Sequence, residues 1–119
     1  ITHPMFSHPL RTKVKFGKAD ASKLKMRLKS AMKEVDRVIK SRRFDVVILD
    51  EILIGVSQGF VAEKMILKII KSKPKETELI LTGRGATWKL IDNADYVTYM
   101  KEIRHPFNKG ATARKGVEF

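Results

Sequence analysis

Cysteine is absent from the 119 residues, which excludes disulfide bridges, thiolate metal sites and a cysteine nucleophile together. Acids are scarce: 13 Asp and Glu face 25 Lys and Arg, for a formal charge of +12. Long apolar runs are missing too. None approaches the roughly 20 residues that a membrane-spanning helix needs. The opening Ile1-Thr2-His3-Pro4 has neither the basic flank nor the apolar stretch of a signal peptide, so a cytoplasmic location is expected. The chain does not open with methionine, and residue 1 is therefore not expected to be the start of translation. What is present, 43% hydrophobic and 32% charged residues, is the balance of a globular chain whose length suits one domain with a modest core.

The positive charge is concentrated. Thirteen Lys and Arg lie between Arg11 and Arg43, against Asp20, Glu34 and Asp36, whereas the remainder is nearly neutral. Such a stripe attracts polyanions, whether a nucleotide triphosphate, nucleic acid or acidic lipid; it is also what a solvated helix face looks like.

Periodicity places the elements. Leu24, Leu28, Ala31, Met32, Val35, Val38 and Ile39 recur at spacings of three and four, predicting a helix over 21–41 with Asp20 or Ser22 as N-cap. Residues 44–49 form a short run with adjacent β-branched side chains, as in a strand buried on both faces of a parallel sheet. A second amphipathic helix is predicted over 61–71, stopped by Lys73-Pro74. A second buried strand over 78–82, a tight turn over 83–85, a short helix over 86–93 and a third strand over 96–100 follow. Strand alternating with helix predicts an α/β fold with a parallel sheet and right-handed crossovers.

In such sheets ligands sit beyond the carboxyl ends of the strands. Two groups fall there. Val47-Ile48-Leu49-Asp50-Glu51 resembles a Walker B element, whose terminal carboxylate positions Mg²⁺ beside nucleotide phosphates; acids at strand ends also serve as helix N-caps. Thr82-Gly83-Arg84-Gly85 sets an arginine between glycines that permit positive φ or close backbone approach. Followed by a helix, this turn suits an anion or a ribose hydroxyl, or is simply a turn with a surface arginine. His3, His8 and His105 each precede proline and have no metal-ligand spacing on a helix or strand; loop histidines are the simple account.

Taken together, Val47-Ile48-Leu49-Asp50-Glu51, Ile80-Leu81-Thr82-Gly83-Arg84-Gly85-Ala86, Ala94-Asp95-Tyr96-Val97-Thr98-Tyr99-Met100, Ile103-Arg104-His105-Pro106-Phe107 and Ala113-Arg114-Lys115-Gly116-Val117-Glu118-Phe119 resemble the ATP:corrinoid adenosyltransferases. The resemblance implies a P-loop NTPase-like parallel sheet with flanking helices. The family's glycine-rich P-loop has no counterpart here, so residues 1–119 are expected to form one partial α/β domain, the C-terminal two thirds of a longer protein without its N-terminal P-loop unit. It also implies transfer of the 5′-deoxyadenosyl group of ATP to the cobalt of a reduced cobamide, with release of triphosphate. ATP and corrinoid are then substrates and Mg²⁺ the metal.

For site residues, the resemblance implies an ATP site of Glu51, Thr82, Gly83, Arg84, Gly85 and His105, with Asp50 and Glu51 at the metal and Phe16 and Phe107 at the corrinoid. An electron donor such as a flavoprotein is a further implied partner, a membrane is not, and a homodimer is compatible. The chain departs from the family pattern in Ile52-Leu53-Ile54, where a polar residue and a tyrosine are usual, in Tyr99 for a frequent glutamate, and in having no tryptophan before the basic helix. A second reading is a non-catalytic polyanion- or nucleic-acid-binding or assembly module built on the basic helix over 20–43. The enzyme reading calls for no nucleic acid, whereas this one does.

Overall fold

The computed structural model describes residues 18–106 and Gly110. The element order is α1 (Lys18–Lys40), β1 (Val46–Leu49), α2 (Ile52–Ser57), α3 (Glu63–Ser72), β2 (Glu78–Leu81) and α4 (Trp88–Ile91). β1 and β2 pair in parallel with Val46 opposite Glu78 and Leu49 opposite Leu81, so the residues following both strands emerge side by side. This is a small α/β arrangement with flanking helices, as the alternation of strand and helix predicts.

Helix α1 starts earlier than its apolar periodicity does. Asp20 and Ser22 therefore lie inside it rather than at its cap, and Asp20 in the first turn complements the positive end of the helix dipole. Arg37 and Lys40 complement the other end. Beyond them Arg42 takes a left-handed conformation (φ 56°), while Ser41 donates from its amide and hydroxyl to carbonyls of the last turn. Glu34 accepts two hydrogen bonds from the Arg37 guanidinium, which holds its carboxyl below the usual glutamate value and raises the arginine.

The core lies on one side of the sheet. Met32 and Ile39 of α1, Leu53 of α2, Val61, Ile66 and Ile69 at α3, and Leu90 of α4 are buried, with Val47, Leu49, Leu79 and Leu81 packed against them. Ile66 is fully enclosed, a placement that contributes roughly 1.5–3 kcal/mol relative to an exposed side chain. In the loop after α3, buried Thr77 donates to the Phe44 carbonyl at 3.3 Å and Lys73 Nζ donates to the Thr77 carbonyl at 2.9 Å, fixing the entry to β2.

Two expectations are corrected. The strands are not buried on both faces: alternate residues point away from the helices, leaving Val46 52%, Ile48 58% and Ile80 44% exposed. Period-two geometry sends successive side chains to opposite faces, and among the described residues only one face has helices to cover it. Nor is 96–100 a strand. Its residues have strand composition, but a strand exists only through a partner's ladder; Tyr96 is 93% and Met100 89% exposed, and two strands make up the sheet among the described residues. Helix α2 was not foreseen, because six residues containing a glycine and three β-branched side chains show neither length nor propensity for a helix. No helix among the described residues is long and apolar enough to cross a membrane.

Candidate functional site

The site begins where the two strands stop. Register places Asp50 and Thr82 next to each other, one residue beyond the paired Leu49 and Leu81. Thr82 then ties both chain segments through all its polar groups. Its amide donates to the Leu49 carbonyl at 3.2 Å and its carbonyl accepts from the Leu53 amide at 3.2 Å. Its hydroxyl donates to Asp50 Oδ1 at 2.6 Å while accepting from the Glu51 amide at 2.8 Å. A hydroxyl can do both at once, and valine of the same shape could do neither.

Glu51 sits at the N-cap of α2 in the left-handed region, φ 55° and ψ 14°. A residue with a Cβ rarely takes this conformation, at a cost of order 1–3 kcal/mol. Its carboxylate makes no capping hydrogen bond. The N-cap account of the acid pair therefore fails for this side chain. The strained backbone instead leaves the Glu51 carboxylate exposed beside Asp50, which has one oxygen engaged by Thr82.

The glycines are required by packing against α2. Gly83 has φ 122°, and a Cβ there would lie 3.1 Å from Leu53 Cβ and 3.2 Å from the Leu53 and Ile54 amide nitrogens. Gly85 has φ 85°, and a Cβ would stand 2.7 Å from Ser57 Cβ. Both positive φ and close backbone approach, the two uses expected of these glycines, are realised. Arg84 between them is exposed, with no hydrogen bond or ion pair among the described residues.

One expectation about this turn changes. Gly85 does not lead directly into a helix: Ala86 and Thr87 intervene, and α4 is only four residues long. Thr87 caps it by accepting from the Leu90 amide at 3.4 Å, and donates its own hydroxyl to Glu63 Oε1, while the other carboxylate oxygen, Oε2, faces Lys89 Nζ at 3.9 Å. The free amides and dipole expected beside Arg84 are therefore used or too few. The contact of α2 with the turn, through Leu53 and Ser57, escaped sequence reasoning for want of any periodic signal in 52–57.

The donor set fits Mg²⁺ as part of a nucleotide site. Mg²⁺ commonly keeps waters and takes one or two carboxylates plus substrate phosphates, rather than an all-protein cage. Asp50 and Glu51 offer two such carboxylates, and no cluster of three or more His, Asp or Glu suited to a metal occurs among the described residues. His105 is exposed, in a stretch with neither helix nor strand. Phe16 and Phe107, the C-terminal motif over 113–119, and His3 and His8 lie outside the described residues.

The chain is similar to a corrinoid adenosyltransferase of Sinorhizobium sp, 39% identical over 90 residues that make up 75% of this chain and 42% of that protein. It is similar also to one of Pseudomonas aeruginosa, 34% identical over 90 residues, 76% of this chain and 44% of that protein. Against the corrinoid adenosyltransferase CobA of Salmonella typhimurium it is 26% identical over 83 residues, 70% of this chain and 42% of that one. The chain thus spans less than half the length of these curated relatives. A family model, ATP:corrinoid adenosyltransferase BtuR/CobO/CobP, matches residues 5–119, and with nearly the whole sequence inside that match the chain belongs to this family.

Proposed function

We propose that these residues are the Asp-Glu and Gly-Arg-Gly half of an ATP site, in a protein that adenosylates the cobalt of a reduced corrinoid. The observation that carries the reading is the Thr82 clasp, which sets two carboxylates and the arginine turn at the carboxyl ends of parallel strands. In this reading Asp50 and Glu51 hold Mg²⁺ together with the ATP phosphates. When bound, the ion supplies charge neutralisation to the departing triphosphate.

The remaining work belongs to side chains and substrates. Arg84 pairs with the nucleotide, and the Gly83 and Gly85 backbone allows it to approach. The Co(I) lone pair attacks C5′ of ATP, the C5′–O bond breaks, and triphosphate leaves with the bonding pair. No protein nucleophile is needed, so positioning and electrostatics are what the chain must provide. His105 is assigned to the ATP site, and Phe16 and Phe107 to the corrinoid.

A P-loop from residues beyond this chain completes the triphosphate cradle in the same reading. The exposed Val46, Ile48 and Ile80 support it, because a sheet with one apolar face open is an unfinished layer. An electron donor such as a flavoprotein, which brings the cobalt to Co(I), a cytoplasmic location and a homodimer belong to the proposal as well.

Titration of MgATP into the full-length gene product tests it. Glu51→Gln and Arg84→Ala each remove a charged partner worth about 1.5–3 kcal/mol, so each should weaken binding about tenfold or more. Salt-sensitive binding to nucleic acid, lost on neutralising Lys23, Lys25, Arg27 and Lys29 and indifferent to Arg84, would instead point to the basic-helix module.

A further inference from the structure

Away from the strand ends, α1 and α3 lie side by side and leave a groove between them. It consists of two adjoining depressions of about 230 and 250 Å³ that share Met32 and Met65 in their linings. Leu28 and Ile69 extend this apolar floor at either end. Its walls are mainly cationic: Lys25, Lys29 and Lys33 rise from α1 and Lys64 and Lys68 from α3, with Asp36 the single acid in the lining.

These lysines repeat at intervals of four along their helices, which brings like charges together on one face and costs helix stability. Asp36, the one acid in the lining, is paired with Lys40 at 2.7 Å, while Glu34 is paired with Arg37, Glu63 with Thr87 and Lys89, and Asp20 lies in the first turn of α1 outside the lining. All five lysines are exposed and form no ion pair with a described acid. An arrangement that repels itself in the free chain is complementary to acidic side chains brought from outside.

We propose that the α1–α3 groove is a docking surface for an acidic amphipathic helix of a partner protein. The partner's apolar stripe packs on the partly exposed Leu28 and Met65 beside the buried Met32, the Met65 side chain adapting to it, and its flanking carboxylates meet the two lysine rows. Other polyanions fit less well. The apolar floor lies between the lysine rows, where a flat bilayer cannot reach it, and phosphates of nucleic acid have no use for it. Phe60 is the one aromatic side chain in its lining, too few for a run of stacked bases.

Fluorescence anisotropy with the full chain tests this. The probe is a synthetic peptide of about 20 residues with leucines at i, i+3, i+4 and i+7 and glutamates between them. A scrambled peptide of the same composition, an oligothymidine and phosphatidylserine vesicles serve as competitors. The striped peptide should bind about tenfold tighter than the scrambled one, since only it matches the apolar floor as well as the charge. Lys29→Gln combined with Lys64→Gln should remove most of that affinity, and Lys75→Gln, in the loop after α3, should leave it unchanged. Equal binding of the two peptides, tighter binding of the oligonucleotide or the vesicles, or indifference to Lys29→Gln and Lys64→Gln would each overturn the proposal.

Discussion

At Thr82 one hydroxyl holds Asp50 and the Glu51 amide together, so its removal acts on both carboxylates although it bears no charge itself. Thr82→Val should lower stability by about 1–3 kcal/mol through the polar groups left unpaired, and MgATP affinity should fall with it. Thr82→Ser should restore both, as read by urea denaturation and titration. Gly85→Ala meets two penalties, a positive φ and a Cβ placed 2.7 Å from Ser57 Cβ. Pairing it with Ser57→Gly should relieve the second and leave the first, so the double variant recovers only part of the lost stability. The identities of these residues were legible in the sequence, since a Gly-Arg-Gly turn and an acid pair after an apolar strand advertise themselves. Their connection was not. The link between Thr82 and Asp50 spans 32 residues and depends on the register of two strands, which no local pattern encodes.

Elements with a strong period came out of the sequence with their centres right and their ends displaced. Helix α1 is continuous well beyond its apolar stripe because helix-forming Lys and Ala extend it toward the N-terminus. Helix α2 and the unpaired segment 96–100 are the converse: the first forms without a signal, held by Leu53 in the core and by the Thr82 carbonyl, and the second has the signal without a partner edge. The same asymmetry governs substitutions. Ile66→Ala in α3 should cost about 2–5 kcal/mol because its site is fully enclosed, whereas Ile48→Thr on the open face of β1 should change stability by no more than about 0.5 kcal/mol; chemical denaturation of both variants checks this. Helix α1 should also respond to acid. The folded-state pKa of Glu34 is lowered by its bond from Arg37, so whatever the pair contributes is present above the ordinary glutamate range and lost as pH falls through the lowered value. Circular dichroism should show a smaller acid-side loss of helix in Glu34→Gln than in the parent chain, the difference being small for so exposed a pair.

For the whole molecule, the organising fact is a layer that the described residues cover on one side only. The helices and the core account for one face of the sheet; Val46, Ile48 and Ile80 stay exposed on the other among the described residues, and the proposed reading assigns that face to the P-loop unit of a longer protein. The catalytic proposal has the same shape, half a site awaiting the half that cradles phosphates. The measurement that tests it most directly replaces the matching segment of the Pseudomonas aeruginosa relative with this chain and follows cobalt–carbon bond formation from chemically reduced corrinoid and MgATP. The account predicts a chimera that forms the bond and loses the activity on Glu51→Gln or Arg84→Ala, while the 119 residues alone do not form it. A folded chimera that is inactive, one indifferent to both substitutions, or full activity from the 119 residues unaided would contradict it.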